Sequence, residues 1–105
     1  IDFTDIIRAS FPMGSMTGAP KKRVMELIDK YEEIGRGLFS GSIGYITAQS
    51  DFDFNVIIRS IFYDEENQKL SYAAGGGITF NSIAENEYEE SLLKAAAIKQ
   101  VLENQ

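Results

Sequence analysis

The sequence contains no cysteine, no histidine and no tryptophan, and only two of its 105 residues are proline. Without cysteine and histidine the chain cannot form disulfides, zinc sites built on those side chains, or catalytic triads that use histidine. The absence of cysteine suits a reducing compartment, so we expect a cytoplasmic protein. The sequence also has no apolar run of the ~20 residues that a membrane span needs. Because no initiator methionine precedes Ile1, we expect a piece of a longer chain.

Basic residues are the other shortage. The formal net charge is −6, in a chain that is 44% hydrophobic and 25% charged. This composition is typical of a soluble globular protein of one domain at most. The negative charge argues against general nucleic-acid binding and against attraction to anionic membranes, so we expect neither partner.

Apolar periodicity divides the chain into helices and strands. Helices are predicted for residues 3–10, for the segment after the loop at 11–18, and for about 83–103. Strands are predicted for 38–48, 54–63 and 69–74, which are rich in β-branched and aromatic residues. Short polar connections favour an antiparallel meander, which gives an α+β fold with helices on one face of the sheet. A three-stranded sheet leaves two open edges, so we expect part of a larger sheet and self-association of the isolated chain.

Helix starts are predicted from capping residues. The first helix should begin near Asp2 or Thr4. The second should be capped by Thr17 or Gly18, with Pro20 in its first turn. Asn81 or Ser82 should cap the third.

Four stretches could carry chemistry, and each also has a purely structural interpretation. Glu87, Glu90 and Lys94 have i, i+3, i+7 spacing on one helix face and could bind Mg²⁺, or could form an ordinary solvated face. The Gly75–Gly77 run could present backbone N–H groups to an anion, or could form a tight turn. Arg59 interrupts an apolar strand, either to bind a carboxylate or to form a salt bridge.

The fourth stretch is the loop GSMTGAPKKR, which lacks the Walker A spacing. Lys21 lies in the first turn of the helix that follows this loop, where a cation opposes the helix dipole. The loop could bind an anion, or it could be a capped helix start with solvated lysines.

Five motifs in order resemble the chorismate-binding enzymes over nearly all of the chain. They are PMGSMTGAPK from Pro12, GSIGY from Gly41, DFNVIIR from Asp53, AGGGI from Ala74 and ENEYEESLLK from Glu85. The resemblance implies an α+β fragment, residues 1–105, that forms the C-terminal part of a larger catalytic domain. It also implies chorismate, which carries two carboxylates, as the substrate.

The resemblance implies roles for individual residues. Arg59 and the N–H groups of Gly75, Gly76 and Gly77 would hold one substrate carboxylate. Glu90, with Glu87 beside it, would bind Mg²⁺, which in turn holds the ring carboxylate. Lys94 would lie near both and is the candidate catalytic residue.

The remaining substrate-binding candidates are Lys21, in the GAPK loop, and Tyr45, at the end of GSIGY. The resemblance gives Lys21 no distinct role.

The AGGGI motif resembles the aminodeoxychorismate synthase branch, since anthranilate synthases more often have A-G-A-G. That branch replaces the ring hydroxyl of chorismate with ammonia from a glutamine amidotransferase subunit, on the way to p-aminobenzoate and folate. Anthranilate synthase component I and a non-catalytic binding or assembly module are the alternatives. The family's other metal-binding half and its upstream lysine motif lie outside this chain, so we expect the fragment alone to be inactive.

Overall fold

The computed structural model of the chain describes residues 2–104. The chain divides into two compact units, Ile1–Val56 and Ile57–Gln105. Each unit contains one antiparallel two-stranded hairpin and at least one helix, so the predicted α+β class with antiparallel strands is confirmed. Within the described residues, no helix is long and apolar enough to cross a membrane.

The first unit contains two helices, a short 3-10 turn and one hairpin. They are α1 (Phe3–Ser10), the turn Gly14–Met16, α2 (Lys21–Tyr31), β1 (Ser42–Ile46) and β2 (Phe52–Val56). As predicted, α1 begins at Asp2, whose carboxylate accepts a hydrogen bond from the N–H of Thr4 at 3.4 Å. The ring of Phe3 on α1 lies 6.2 Å from the ring of Phe52 on β2. One aromatic pair therefore links α1 to β2.

The β1–β2 hairpin pairs Gly44 with Phe54. A Cβ atom on Gly44 would overlap the carbonyl oxygen of Asp53 and lie 2.5 Å from the Phe54 ring. The missing side chain lets the aromatic ring cover the strand backbone, an arrangement that helps to fix the register of glycine-containing hairpins.

The predicted cap of α2 is wrong. The helix begins after Pro20, which supplies no side-chain hydrogen bond. Thr17 instead donates its hydroxyl to the carbonyl oxygen of Met13 at 2.9 Å and closes the 3-10 turn. Gly18 has φ of +145°, with Val24 directly beside it. The loop chemistry that suggested a cap is therefore used to fold the loop on itself.

Arg36 joins three segments of the first unit, a role that we did not predict from the sequence. Its guanidinium makes two hydrogen bonds to the Glu32 carboxylate, at 2.6 and 2.8 Å. It also donates to the carbonyl oxygen of Met16 at 2.7 Å and to the hydroxyl of Ser40 at 2.8 Å. Ser40 is buried and has φ of 75°. The segment around it is a turn, which is why the first strand begins at Ser42 and not at the predicted residue 38.

The second unit contains β3 (Ile61–Asp64), β4 (Lys69–Tyr72) and α3 (Ala84–Glu103). The single strand predicted at 54–63 is wrong, because it is split into β2 and β3. Arg59 lies in the break with φ of 50°, and Ser60 donates its hydroxyl to the carbonyl of Ile58 at 2.8 Å. A left-handed residue cannot continue an extended strand. The predicted three-stranded meander is therefore replaced by two separate hairpins.

The described residues bury little apolar surface. Ile57 is the one buried hydrophobic residue among them, and the accessible surface is 8,908 Å². Two separate compact proteins of half this mass would together expose about 7,100 Å². The chain therefore exposes more surface than two independent small domains would, and much of that surface is large apolar side chains.

We expect the isolated chain to self-associate or to be only marginally stable, because exposed apolar surface and open strand edges favour association. Size exclusion should give a concentration-dependent mass, and calorimetry should give a weak, low-temperature transition. A clean monomer with a cooperative transition at high temperature would contradict this expectation.

Glu32 should give the first unit a pH-dependent stability. The hydrogen bonds from Arg36 hold the pKa of Glu32 below its ordinary value of 4.5. A lowered folded-state pKa means that the contribution is present above the ordinary pKa and is lost as the pH falls through the lowered value. Because the Glu32 side chain is 39% exposed, we expect only about 0.2–1 kcal/mol. Urea unfolding should show Glu32→Gln less stable than the unsubstituted protein at pH 7, and this difference should shrink as the pH falls below 4.5 through the lowered pKa of Glu32.

The matched control for this prediction is Glu26→Gln, which removes the same charge from a single 3.2 Å contact with Arg23 on α2. A loss at pH 7 as large as that of Glu32→Gln would show that the effect is common to surface ion pairs of this unit and does not depend on the Arg36 contacts.

Candidate functional site

The acidic face of α3 lies against the triple-glycine loop. Glu87, Glu90 and Lys94 occupy one face of the helix, as their spacing predicted. A Cβ atom added to Gly76 would lie 3.2 Å from Glu87 Oε2 and 3.9 Å from both Glu90 Oε1 and Lys94 Nζ. The structure therefore brings together four of the residues that the sequence singled out, all within the second unit.

Lys94 holds the loop to the helix. Its ammonium group lies 3.0 Å from Glu90 Oε1 and donates a hydrogen bond to the carbonyl oxygen of Gly75 at 3.1 Å. The Glu90 and Lys94 side chains are about half exposed, so the ion pair alone contributes little stability. Its contribution is geometric, because it ties a glycine backbone with no side chains of its own to a fixed point on α3.

The bare backbone of Gly76 favours this approach. Any side chain at residue 76 would point at the two carboxylates and the ammonium group, whereas nothing lies within 4 Å of a Cβ at Gly75 or Gly77. The middle glycine therefore lets the backbone come close to the charged groups. The outer two leave the loop open to solvent or to a ligand.

Ser82 was predicted only as a possible helix cap, and that prediction is wrong. The helix begins after Ile83, which supplies no side-chain hydrogen bond. The Ser82 hydroxyl donates to Glu87 Oε1 at 2.8 Å and accepts from the N–H of Thr79 at 2.8 Å. Glu87 Oε2 is left buried, with no hydrogen-bond partner among the described residues. A serine five residues before an acidic helical residue was the available signal, but nothing in the sequence separates this contact from capping.

The chemistry of the cluster fits a hard divalent cation. Two carboxylates and one ammonium group give the cluster a formal charge of −1. The buried oxygen Glu87 Oε2 has no hydrogen-bond partner among the described residues and is free to ligate a cation. No group of three or more acidic, histidine or cysteine ligands exists within residues 2–104. Mg²⁺ commonly takes one or two protein carboxylates and completes its shell with water and substrate oxygens. Glu87 and Glu90 could therefore supply part of a magnesium shell.

The other predicted site residues lie elsewhere. Arg59 is exposed in the β2–β3 break, and within residues 2–104 its guanidinium has no ion pair or hydrogen bond. Lys21 and Tyr45 belong to the first unit. Lys21 Nζ donates to the carbonyl of Ser10 at 3.4 Å. Tyr45 is exposed on β1 opposite Asp53.

A groove in the first unit lies around Arg36 and is lined by neither Lys21 nor Tyr45. Its wall is mainly apolar and includes Phe11, Met25 and Ile28. We place no predicted chemistry in this groove, because none of the predicted site residues lines it.

Comparison with known proteins identifies the family. Residues 1–100 match the family described as chorismate binding enzyme. The chain belongs to the chorismate-binding enzyme family. It is 47% identical over 93 residues to the chloroplastic aminodeoxychorismate synthase of Arabidopsis thaliana. It is 42% identical over 102 residues to aminodeoxychorismate synthase component 1 of Bacillus subtilis, and 38% identical over 102 residues to anthranilate synthase component 1 of Aquifex aeolicus.

These matches cover 89%, 97% and 97% of this chain but only 10%, 21% and 20% of the three relatives. The chain therefore spans about a tenth to a fifth of the length of the relatives that it matches. Family membership supports the resemblance drawn from the five motifs, which include the AGGGI loop and the acidic face of α3.

Removing the Lys94 ammonium should loosen the glycine loop. We expect Lys94→Met to speed chymotrypsin cleavage after Phe80, which is fully exposed in the segment that joins this loop to α3. The expected increase is about two- to fivefold, because an exposed pair contributes about 1 kcal/mol or less to local opening. Peptide mass spectrometry would follow that single cleavage.

Lys99→Met is the matched control, since Lys99 forms an i, i+4 pair with Glu103 on the same helix but does not contact the loop. If both variants speed cleavage equally, the loop does not depend on Lys94.

Proposed function

We propose that this chain is the C-terminal part of a chorismate-converting catalytic domain of the aminodeoxychorismate synthase component I type. The reaction would replace the ring hydroxyl of chorismate with ammonia, releasing water and forming 4-amino-4-deoxychorismate. A glutamine amidotransferase subunit would supply the ammonia. The observation that carries the proposal is the position of the glycine loop against α3, where Lys94 bonds the Gly75 carbonyl and Gly76 lies beside Glu87 and Glu90. The 42–47% identity to proteins named aminodeoxychorismate synthase supports this branch. A cytoplasmic location stays a prediction.

The residues of this cluster suit an anionic substrate once a cation is present. Glu90 and Glu87 would hold Mg²⁺, which would supply the positive charge that binds a carboxylate of the substrate. The cluster has a formal charge of −1 without the metal and would carry +1 with a divalent cation. An otherwise acidic chain could then attract a dianion at this one place.

The second carboxylate of the substrate would be held by backbone and side-chain donors. The N–H groups of Gly75, Gly76 and Gly77 lie in an exposed loop and are available for an oxyanion. Arg59 has an exposed guanidinium whose planar fork suits a carboxylate. Lys94 would place its ammonium group beside the substrate and the metal. Lys21 and Tyr45 remain proposed substrate contacts on the strength of the family motifs alone.

Anthranilate synthase component I is the second candidate, because the chain is 38% identical to one such protein over 97% of its length. Aminodeoxychorismate and anthranilate are both formed from chorismate and ammonia, so the substrate site of this chain would serve either reaction. A third possibility is a binding or assembly module whose glutamates form only a solvated face.

In the presence of Mg²⁺, the full-length protein that carries this chain should convert chorismate and ammonia to aminodeoxychorismate, identified by chromatography and mass spectrometry. Glutamine should replace ammonia only when the amidotransferase subunit is added. Removing Mg²⁺ with a chelator should stop turnover. Glu90→Gln should lower turnover by about 100-fold or more, because loss of a metal-held interaction typically costs several kcal/mol.

Glu103→Gln is the matched control, since Glu103 pairs with Lys99 on the same helix outside the cluster. Anthranilate as the product would favour the second candidate. Full turnover by a folded Glu90→Gln variant would favour the non-catalytic module. The isolated 105-residue chain should convert no chorismate.

A further inference from the structure

Ser82 makes the one hydrogen bond to the Glu87 carboxylate that the structure describes. The hydroxyl oxygen accepts from the N–H of Thr79 at 2.8 Å, so its single proton is directed to Glu87 Oε1, also at 2.8 Å. The Thr79 hydroxyl lies farther away, at 3.4 Å. Both the position and the direction of the serine proton are therefore fixed by the turn that precedes α3.

The consequence falls on the other carboxylate oxygen. Because Ser82 holds Oε1, rotation of the carboxylate is restricted and Oε2 faces the backbone of Gly76. This oxygen is buried without a hydrogen-bond partner among the described residues. A buried anionic oxygen without a partner is unfavourable unless another group binds it. The arrangement is that of a ligand whose outer partner fixes its orientation.

We propose that Ser82 is a positioning residue that orients Glu87 toward a hard divalent cation at the glycine loop. This inference rests on the proposed function, because it assumes that Glu87 and Glu90 hold the cation. It adds a residue that the family motifs did not assign a role, and it separates that role from helix capping. Ser82 itself does not contact the cation.

Ser91 provides a matched comparison. Its hydroxyl also bonds Glu87, but it donates to the backbone carbonyl oxygen at 3.1 Å and not to the carboxylate. Ser82→Ala and Ser91→Ala therefore remove the same chemical group from the same neighbour. Only the first change frees the carboxylate to rotate. Ser82→Thr keeps the hydroxyl and serves as the conservative variant.

The test uses Mn²⁺ as a probe for the cation, with its binding to the full-length protein measured by electron paramagnetic resonance. We expect Ser82→Ala to weaken Mn²⁺ affinity by about tenfold or more, the usual effect of removing an outer partner of a metal ligand. Ser91→Ala and Ser82→Thr should change the Mn²⁺ affinity by less than about threefold, clearly less than the tenfold loss expected for Ser82→Ala. In a Glu87→Gln background, Ser82→Ala should produce little further loss, since its effect acts through that carboxylate.

Several results would overturn the proposal. Unchanged Mn²⁺ affinity in Ser82→Ala, an equal loss in Ser91→Ala, or a full additional loss in the Glu87→Gln background would each exclude a positioning role. If Ser82→Ala fails to fold, Ser82→Thr must bind Mn²⁺ normally and Ser82→Val must bind it weakly while folded. If the unsubstituted protein binds Mn²⁺ and converts chorismate while Ser82→Ala binds normally, only this inference fails. If the unsubstituted protein binds no Mn²⁺, the proposed metal site fails with it.

Discussion

The position of the glycine loop in the second unit depends on a single cation placed between two acceptors. The carbonyl oxygen of Gly75 and the carboxylate of Glu90 are both negatively polarised and lie close to the same point, so without a cation they would repel each other. The Lys94 ammonium lies between them at 3.1 and 3.0 Å, and its three donors allow it to bond both at once. This contact keeps a loop without side chains against an acidic helix. It also sets the position of Gly76 over Glu87, on which the rest of the cluster depends.

The sequence predicted the parts of this cluster that follow from local spacing. Glu87, Glu90 and Lys94 share a helix face by counting alone, and the helix itself was predicted within one residue of its observed limits. The contact of Ser82 with the Glu87 carboxylate could not be predicted, because a serine just before a helix is equally typical of a helix cap. The split of the strand at Arg59 was also beyond prediction. An apolar run shows that residues favour extended structure, but not where one backbone angle turns left-handed.

The contacts of Arg36 in the first unit were also only partly predictable from the sequence. Its contacts with Glu32 follow from i, i+4 spacing, but those with Met16 and Ser40 join segments up to 20 residues apart. Such contacts depend on how the loop folds and cannot be read from periodicity. They also shorten the first predicted strand, since the turn at Ser40 takes up its beginning. The predicted α+β class was nevertheless right, because the class depends only on which kinds of elements are present. The predicted meander was wrong, because the strand topology depends on where each element ends.

At Gly76, exposure to solvent and tolerance of substitution, which usually vary together along a protein surface, are separated by the close approach of Glu87. Residue 76 is exposed, and exposed loop positions normally accept most replacements. A methyl group here would press on Glu87 Oε2 and would displace the carboxylate by a few tenths of an ångström from the orientation that Ser82 holds, while the fold would persist. Natural variation at this residue would therefore be constrained by what the protein binds and hardly at all by whether it folds. A screen for soluble expression would miss every such change.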